Sequence, residues 1–162
     1  MNIEIERKFL VINTNFKKIS FQKKYIKQGF LNSNKDRVVR IRIVDQQGFL
    51  TIKGKSSHKG TTRFEWEQKI SFKDANELLN LCEEGIIEKN RYYHQIENHI
   101  VEIDEFLGDN IGLLVAEIEL KEQHEDFKKP HYLGKEVTGD EKYYNSNLSK
   151  HAFKYWHKKT SN

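Results

Sequence analysis

Ile3-Glu4-Ile5-Glu6-Arg7-Lys8-Phe9-Leu10-Val11 alternates charge with hydrocarbon along most of its length. A period of two is the mark of a β-strand with unlike faces, so Glu4, Glu6 and Lys8 share one face while Ile3, Ile5, Phe9 and Val11 share the other. The pattern recurs down the chain. Val39 to Val44 sets Arg40 and Arg42 opposite Val39, Ile41 and Ile43, and Phe49 to Gly54 sets Thr51 and Lys53 opposite Leu50 and Ile52. Beyond a polar loop, Arg63 to Ile70 places Arg63, Glu65, Glu67 and Lys69 against Phe64, Trp66 and Ile70. Strands resume over Lys89 to His94, Ile100 to Phe106 and Leu114 to Leu120, with Lys89 and Arg91, then Glu102 and Asp104, then Glu117 and Glu119 on their charged faces.

Two helices interrupt the strands. Ser71 followed three residues later by Asp74 has the form of a capping box, and Ala75, Leu78, Leu79 and Cys82 then recur at helical spacing before Gly85. A second amphipathic helix is expected from about Ser146, with Leu148, Ala152, Tyr155 and Trp156 on one face. The fold class is α+β: antiparallel strands joined by hairpins, with helices packed outside. At 162 residues the chain is expected to form a single domain over 1–162.

Composition narrows the function. Basic and acidic residues number 28 and 24, interleaved along the chain, so the net charge of +4 forms no block of the kind that grips nucleic acid. The aromatics alternate on apolar strand faces and read as packing, not as a stacking platform for bases. The single Cys82 excludes an internal disulfide and reads as core packing, and the seven histidines form no HExxH pairing. The opening MNIEIERK carries no apolar leader, so a cytoplasmic location without a membrane span is expected.

Solvation alone accounts for alternation when a sheet's polar face meets water. These faces are nearly pure Glu, Asp, Arg and Lys, however, often as like-charged neighbours at i and i+2. Such pairs make sense if each attracts an opposite charge. Glu4 with Glu6 and Glu117 with Glu119 offer carboxylate oxygens to a hard divalent cation. Arg40 with Arg42 and Lys89 with Arg91 suit the oxygens of a polyanion. If the sheet closes with these faces inward, it encloses a wet channel, because unpaired buried ions cost several kcal/mol each. A metal site beside a basic lining is what phosphoryl transfer requires. No GxxxxGK[ST] loop occurs, so side chains must hold the phosphates.

The stretch EIERK (4–8) resembles the E-x-E-x-K signature of the CYTH superfamily, the triphosphate tunnel metalloenzymes. VRIR (39–42), TIKG (51–54), RFEWE (63–67), EKNRY (88–92), VEID (101–104), VAEIEL (115–120) and EVTGDEKYYNSNL (136–148) follow in family order. The resemblance implies an eight-stranded antiparallel barrel forming a tunnel for a small triphosphate and a divalent metal, Mg²⁺ or Mn²⁺. It implies that Glu4, Glu6, Glu117 and Glu119 bind the metal, that Arg40, Arg42, Lys53, Lys89 and Arg91 grip the phosphates with Lys8, and that Lys8, Lys89 and Glu119 are candidates for catalysis. Arg63, Glu65, Glu67, Glu102 and Asp104 fall at charged tunnel positions without assigned roles, and the C-terminal helix is placed to plug one mouth. The implied activity is hydrolysis of inorganic tripolyphosphate. The alternatives are hydrolysis of thiamine or nucleoside triphosphates, cyclisation of ATP as in class IV adenylyl cyclases, and a non-catalytic polyphosphate-binding module.

Overall fold

The computed structural model describes residues 3–156. In chain order it comprises β1 (Ile3–Val11), a short helix α1 (Phe16–Ile19), β2 (Gln22–Asn32), β3 (Arg37–Val44), β4 (Gln47–Ser56), β5 (Thr62–Ile70), α2 (Phe72–Leu79), β6 (Ile87–Ile96), β7 (His99–Phe106), β8 (Leu114–Glu119), β9 (Leu133–Glu136) and α3 (Asn145–Leu148). The strands run β5-β4-β3-β2-β6-β7-β8-β1, and a further β1–β5 pairing closes this row into an eight-stranded antiparallel barrel. The ninth strand, β9, lies beside the second half of β1.

Register fixes the character of the interior. Residues paired across an antiparallel ladder share a face. Lys8 pairs with Glu117, Glu6 with Glu119, Glu102 with Glu117, Arg91 with Asp104, Lys53 with Glu65 and Glu4 with Arg63. Every charged row therefore meets another, and all of them face inward.

The apolar rows face outward and need cover. Phe16 of α1 with Tyr132 and Leu133 shields Phe9, Val101, Ile103, Ala116 and Ile118. Helix α2 lays Ala75 and Leu79 on Ile41 and Ile43. Its start is as expected, the Ser71 hydroxyl accepting the Asp74 N–H at 2.9 Å. Cys82 does pack: a side chain in place of Gly29 would put its Cβ 2.9 Å from the Cys82 Cβ and 2.6 Å from Ile86 Cδ1. Burial pushes the thiol's pKa up, as suits an inert packing role.

Two elements differ from expectation. The strand β2 is absent from the sequence reading, yet it joins β3 to β6 and carries Gln28 and Phe30 inward. The second amphipathic helix is not continuous. Helix α3 spans four residues, the backbone is extended at Ala152, and a 3₁₀ turn follows over Phe153–Tyr155. The break lets the segment fold back on a single apolar cluster. Leu148 enters one end of the barrel against the inward-facing Ile87, Phe106 and Val115, while Phe153 and Trp156 fold over the same cluster beside Tyr143. Asn110 fixes the turn by accepting the Phe153 N–H at 2.8 Å. The interior at this end is thus apolar and filled.

Candidate active site

A hollow of about 570 Å³ occupies the rest of the barrel. Its lining includes Glu4, Glu6, Lys8, Arg40, Arg42, Lys53, Arg63, Glu65, Glu67, Lys89, Arg91, Glu102, Glu117 and Glu119. Of the side chains singled out from sequence, only Asp104 is set back from this surface, and it is buried directly behind Lys89 and Arg91.

Asp104 anchors the basic side of the site. Arg91 donates to both its oxygens, Nε to Oδ1 at 2.7 Å and Nη2 to Oδ2 at 2.9 Å, and Lys89 Nζ lies 2.8 Å from Oδ2. Arg91 also reaches Glu102 at 2.6 Å. Burial opposes charge on Arg91, but Asp104 and Glu102 override it and hold the guanidinium pKa well above its ordinary value. Lys89 is less compensated: burial outweighs Asp104 and draws its ammonium pKa down to about 8.

Arg40 and Arg42 form a second basic group. Glu67 lies 3.6 Å from Arg40 and 3.4 Å from Arg42, and the buried Thr51 hydroxyl bridges the set, accepting from Arg40 at 3.2 Å and donating to Glu67 at 2.8 Å. The Nε atoms of both arginines are buried and make no hydrogen bond. Burial, and for Arg42 the neighbouring Arg40, pulls both pKa values down, Arg42 to about 9. These are cations short of anions.

The acidic side is crowded by contrast. Burial would raise the Glu4 pKa, but Lys53 at 2.9 Å and hydrogen bonds with Glu65 and Glu6 hold it far below the carboxylate range. Glu117 is held low in the same way, burial being overcome by Lys8 at 3.5 Å and by Arg91. Glu6 is held well above its ordinary value by burial and by the charges of Glu117 and Glu4, and Glu65 is raised to about 7 by burial and its bond to Glu4. Glu119, exposed, is raised by partial burial and by Glu4 and Glu102.

Among the described residues no three His, Cys, Asp or Glu side chains converge as a ready-made ion cage. The donors nonetheless fit a hard divalent cation: they are all carboxylate oxygens on the adjacent strands β1 and β8, and Glu6 lacks the positive charge its setting calls for.

Besides Thr51, sequence reading missed three contributors. Gln28, Tyr144 and Asn145 are uncharged, and the last two come from a segment outside the strands. Lys8 Nζ sits over the Tyr144 ring at 5.2 Å, and Asn145 Oδ1 accepts from Lys89 at 2.9 Å and from Gln28 at 3.0 Å. Arg63 lies on the lining as expected, but its guanidinium is taken up by the Gly54 carbonyl, at 2.9 and 3.1 Å.

A closed antiparallel barrel whose interior sets the under-compensated Arg40, Arg42 and Lys89 against a crowded row of glutamates defines a tunnel protein for a polyanion carried with a cation. The CYTH domain model matches residues 2–152. The chain belongs to the CYTH family. It is 46% identical over 155 residues to an inorganic triphosphatase of Acetivibrio thermocellus, covering 95% of this chain and 97% of that protein. It is 31% identical over 150 residues to an inorganic triphosphatase of Nitrosomonas europaea, covering 90% and 96%. A crystal structure of an inorganic triphosphatase superposes with a TM-score of 0.63 at 28% identity, covering 90% of this chain and 93% of that one.

Proposed function

We propose that this chain is an inorganic triphosphatase that hydrolyses the terminal anhydride bond of tripolyphosphate inside the barrel, with Mg²⁺ or Mn²⁺. The observation that carries this reading is the pair of buried arginines, Arg40 and Arg42, whose Nε atoms lack partners within a hollow of about 570 Å³. Buried donors of that kind call for oxygen acceptors, and linear triphosphate supplies many on one small molecule.

The chain's own groups divide the work. Arg40, Arg42 and Arg91 hold phosphate oxygens in fixed planes, whereas Lys8, Lys53 and Lys89 act as point charges. Together they stabilise charge on the phosphoryl group as water attacks in line and pyrophosphate leaves. Glu4, Glu6, Glu117 and Glu119 would hold the divalent ion, which supplies charge neutralisation at the phosphate oxygens. Glu102 and Asp104 fix the orientation of Arg91, and Glu67 that of Arg42. In this reading Lys8, Lys89 and Glu119, which line the hollow, are the groups that bear on the attacking water. The whole chain, 1–162, acts as one unit in this reading, in the cytoplasm, on a small-molecule substrate without a membrane or nucleic-acid partner. Among the described residues no helix is long and apolar enough to cross a membrane.

The test is phosphate release by purified protein from tripolyphosphate, ATP and thiamine triphosphate, with each metal and with chelator. Release that is fastest from tripolyphosphate and abolished by chelator is expected. Metal-independent release, or none, overturns the reading.

A further inference from the structure

The two most buried lysines of the hollow, Lys8 and Lys89, are both held by one short segment that is not part of the barrel wall. Tyr144 places its ring beneath Lys8 Nζ, and the next residue, Asn145, gives its Oδ1 to Lys89 Nζ. Both holding groups are neutral. A further carboxylate in either place would repel a bound anion, whereas a ring face and an amide oxygen fix an ammonium without adding negative charge to the hollow.

Asn145 is itself fixed. Its Oδ1 accepts from Lys89 and from Gln28 Nε2 together, so a flipped amide would turn N–H groups against two donors. Gln28 is fully buried and locks the amide from behind. An ammonium has three N–H donors. Asp104 and Asn145 take two of those on Lys89, whose Nζ also lies 5.3 Å from the centre of the Phe106 ring, and the residue lines the hollow. The segment is anchored on both sides: the Thr138 hydroxyl accepts the Lys8 N–H at 2.9 Å, and Leu148 is buried in the closed end of the barrel.

We infer that Asn145 is a positioning residue for the reaction, aiming the Lys89 ammonium at the reacting phosphoryl group, and that the Tyr144–Asn145 segment is a working part of the active site and not merely a plug. This rests on the triphosphatase reading, so the experiment carries one readout that does not depend on turnover.

Asn145→Ala, Asn145→Asp and Gln28→Met are compared with the unaltered protein in steady-state hydrolysis of tripolyphosphate. The Nζ resonance of Lys89, assigned through Lys89→Arg, is followed by NMR in lysine-labelled protein. Asn145→Ala is expected to lower kcat by about 10- to 100-fold, the scale of a reacting group displaced by an ångström, with KM changed less than about threefold. The Lys89 signal should lose its slow hydrogen exchange. Asn145→Asp keeps the acceptor but adds a negative charge, so it should recover most of kcat and raise KM. Gln28→Met, which leaves Lys89 untouched, should give a smaller kcat loss of the same kind and decides the matter if Asn145→Ala fails to fold. An unchanged kcat in Asn145→Ala, or a kcat loss with the Lys89 signal intact, overturns the inference. If the unaltered protein releases no phosphate, the triphosphatase reading falls, and the Lys89 signal still decides whether Asn145 holds that ammonium.

Discussion

Replacing Arg40 by alanine isolates the contribution of one buried, under-compensated cation to ligand binding. Arg40 is 9% exposed, its Nε has no partner, and burial already depresses its pKa, so the folded protein gains little from its charge. Its loss leaves no orphaned anion either, because Glu67 keeps Arg42 at 3.4 Å and the Thr51 hydroxyl at 2.8 Å. The effect should therefore fall on the ligand. One charge-assisted contact to a phosphate oxygen contributes about 1.5–3 kcal/mol, which is a weakening of about 10- to 150-fold in Kd. Isothermal titration of metal-free protein with tripolyphosphate, under chelator so that nothing turns over, measures this directly. Thermal unfolding alongside should show a Tm close to that of the unaltered protein. Affinity within about twofold of the unaltered protein, with the fold intact, would refute the assignment of Arg40 to the anion.

Other expectations follow from the same geometry. Glu119→Gln should abolish metal-dependent phosphate release with little change in Tm, since Glu119 is exposed and makes no ion pair among the described residues; near-normal turnover would remove it from the metal site. Because burial sets the Lys89 ammonium at about 8, tripolyphosphate affinity should fall as pH rises through 8, in a step absent from Lys89→Gln. The sign for stability is opposite: below pH 8 both folded and unfolded states hold the proton, whereas from 8 to the ordinary lysine value only the unfolded state does, so Lys89 destabilises less as pH rises through that window. Denaturant titrations at pH 7 and pH 9 on Lys89→Gln and its parent check this. Leu148→Ala should lower stability by about 2–5 kcal/mol by opening a cavity in the closed end, read as a drop in urea midpoint.

Strands β1, β3 and β7 were legible because charge and hydrocarbon alternate in them with little interruption, and the inward rows they predicted are the lining found. Strand β2 was not. Its outward positions include Lys23, Tyr25 and Lys27 and its inward ones Lys24, Ile26, Gln28 and Phe30, so polarity does not follow the period and only its ladders with β3 and β6 define it. The closing helix was misread because Leu148, Ala152, Tyr155 and Trp156 do recur at helical spacing, but the chain turns at Ala152 so that Leu148, Phe153 and Trp156 all reach one apolar cluster. Tyr144 and Asn145 carry no charge, and their approach to Lys8 and Lys89 is set by how a loop packs across the barrel end, a relation that spacing along the chain does not encode. Thr51 could have been found: the alternation already put it on the face of Lys53.

Strand β1 pairs with β5, β8 and β9, partners that lie from about sixty to more than a hundred and twenty residues further along the chain. Such distant pairings carry the largest loop-closure entropy and are among the slowest to form. Glu4, Glu6 and Lys8 ride on that strand, so the acidic half of the pocket cannot exist until the last third of the polypeptide has been synthesised. A nascent chain halted before residue 114 would lack β8, leaving β1 without its ladder to the rest of the row and Lys8 without its Glu117 partner, while Arg40, Arg42 and Arg91 would already have Glu67, Glu102 and Asp104. Ring closure is therefore the step that brings Glu4 and Glu6 beside Glu117 and Glu119.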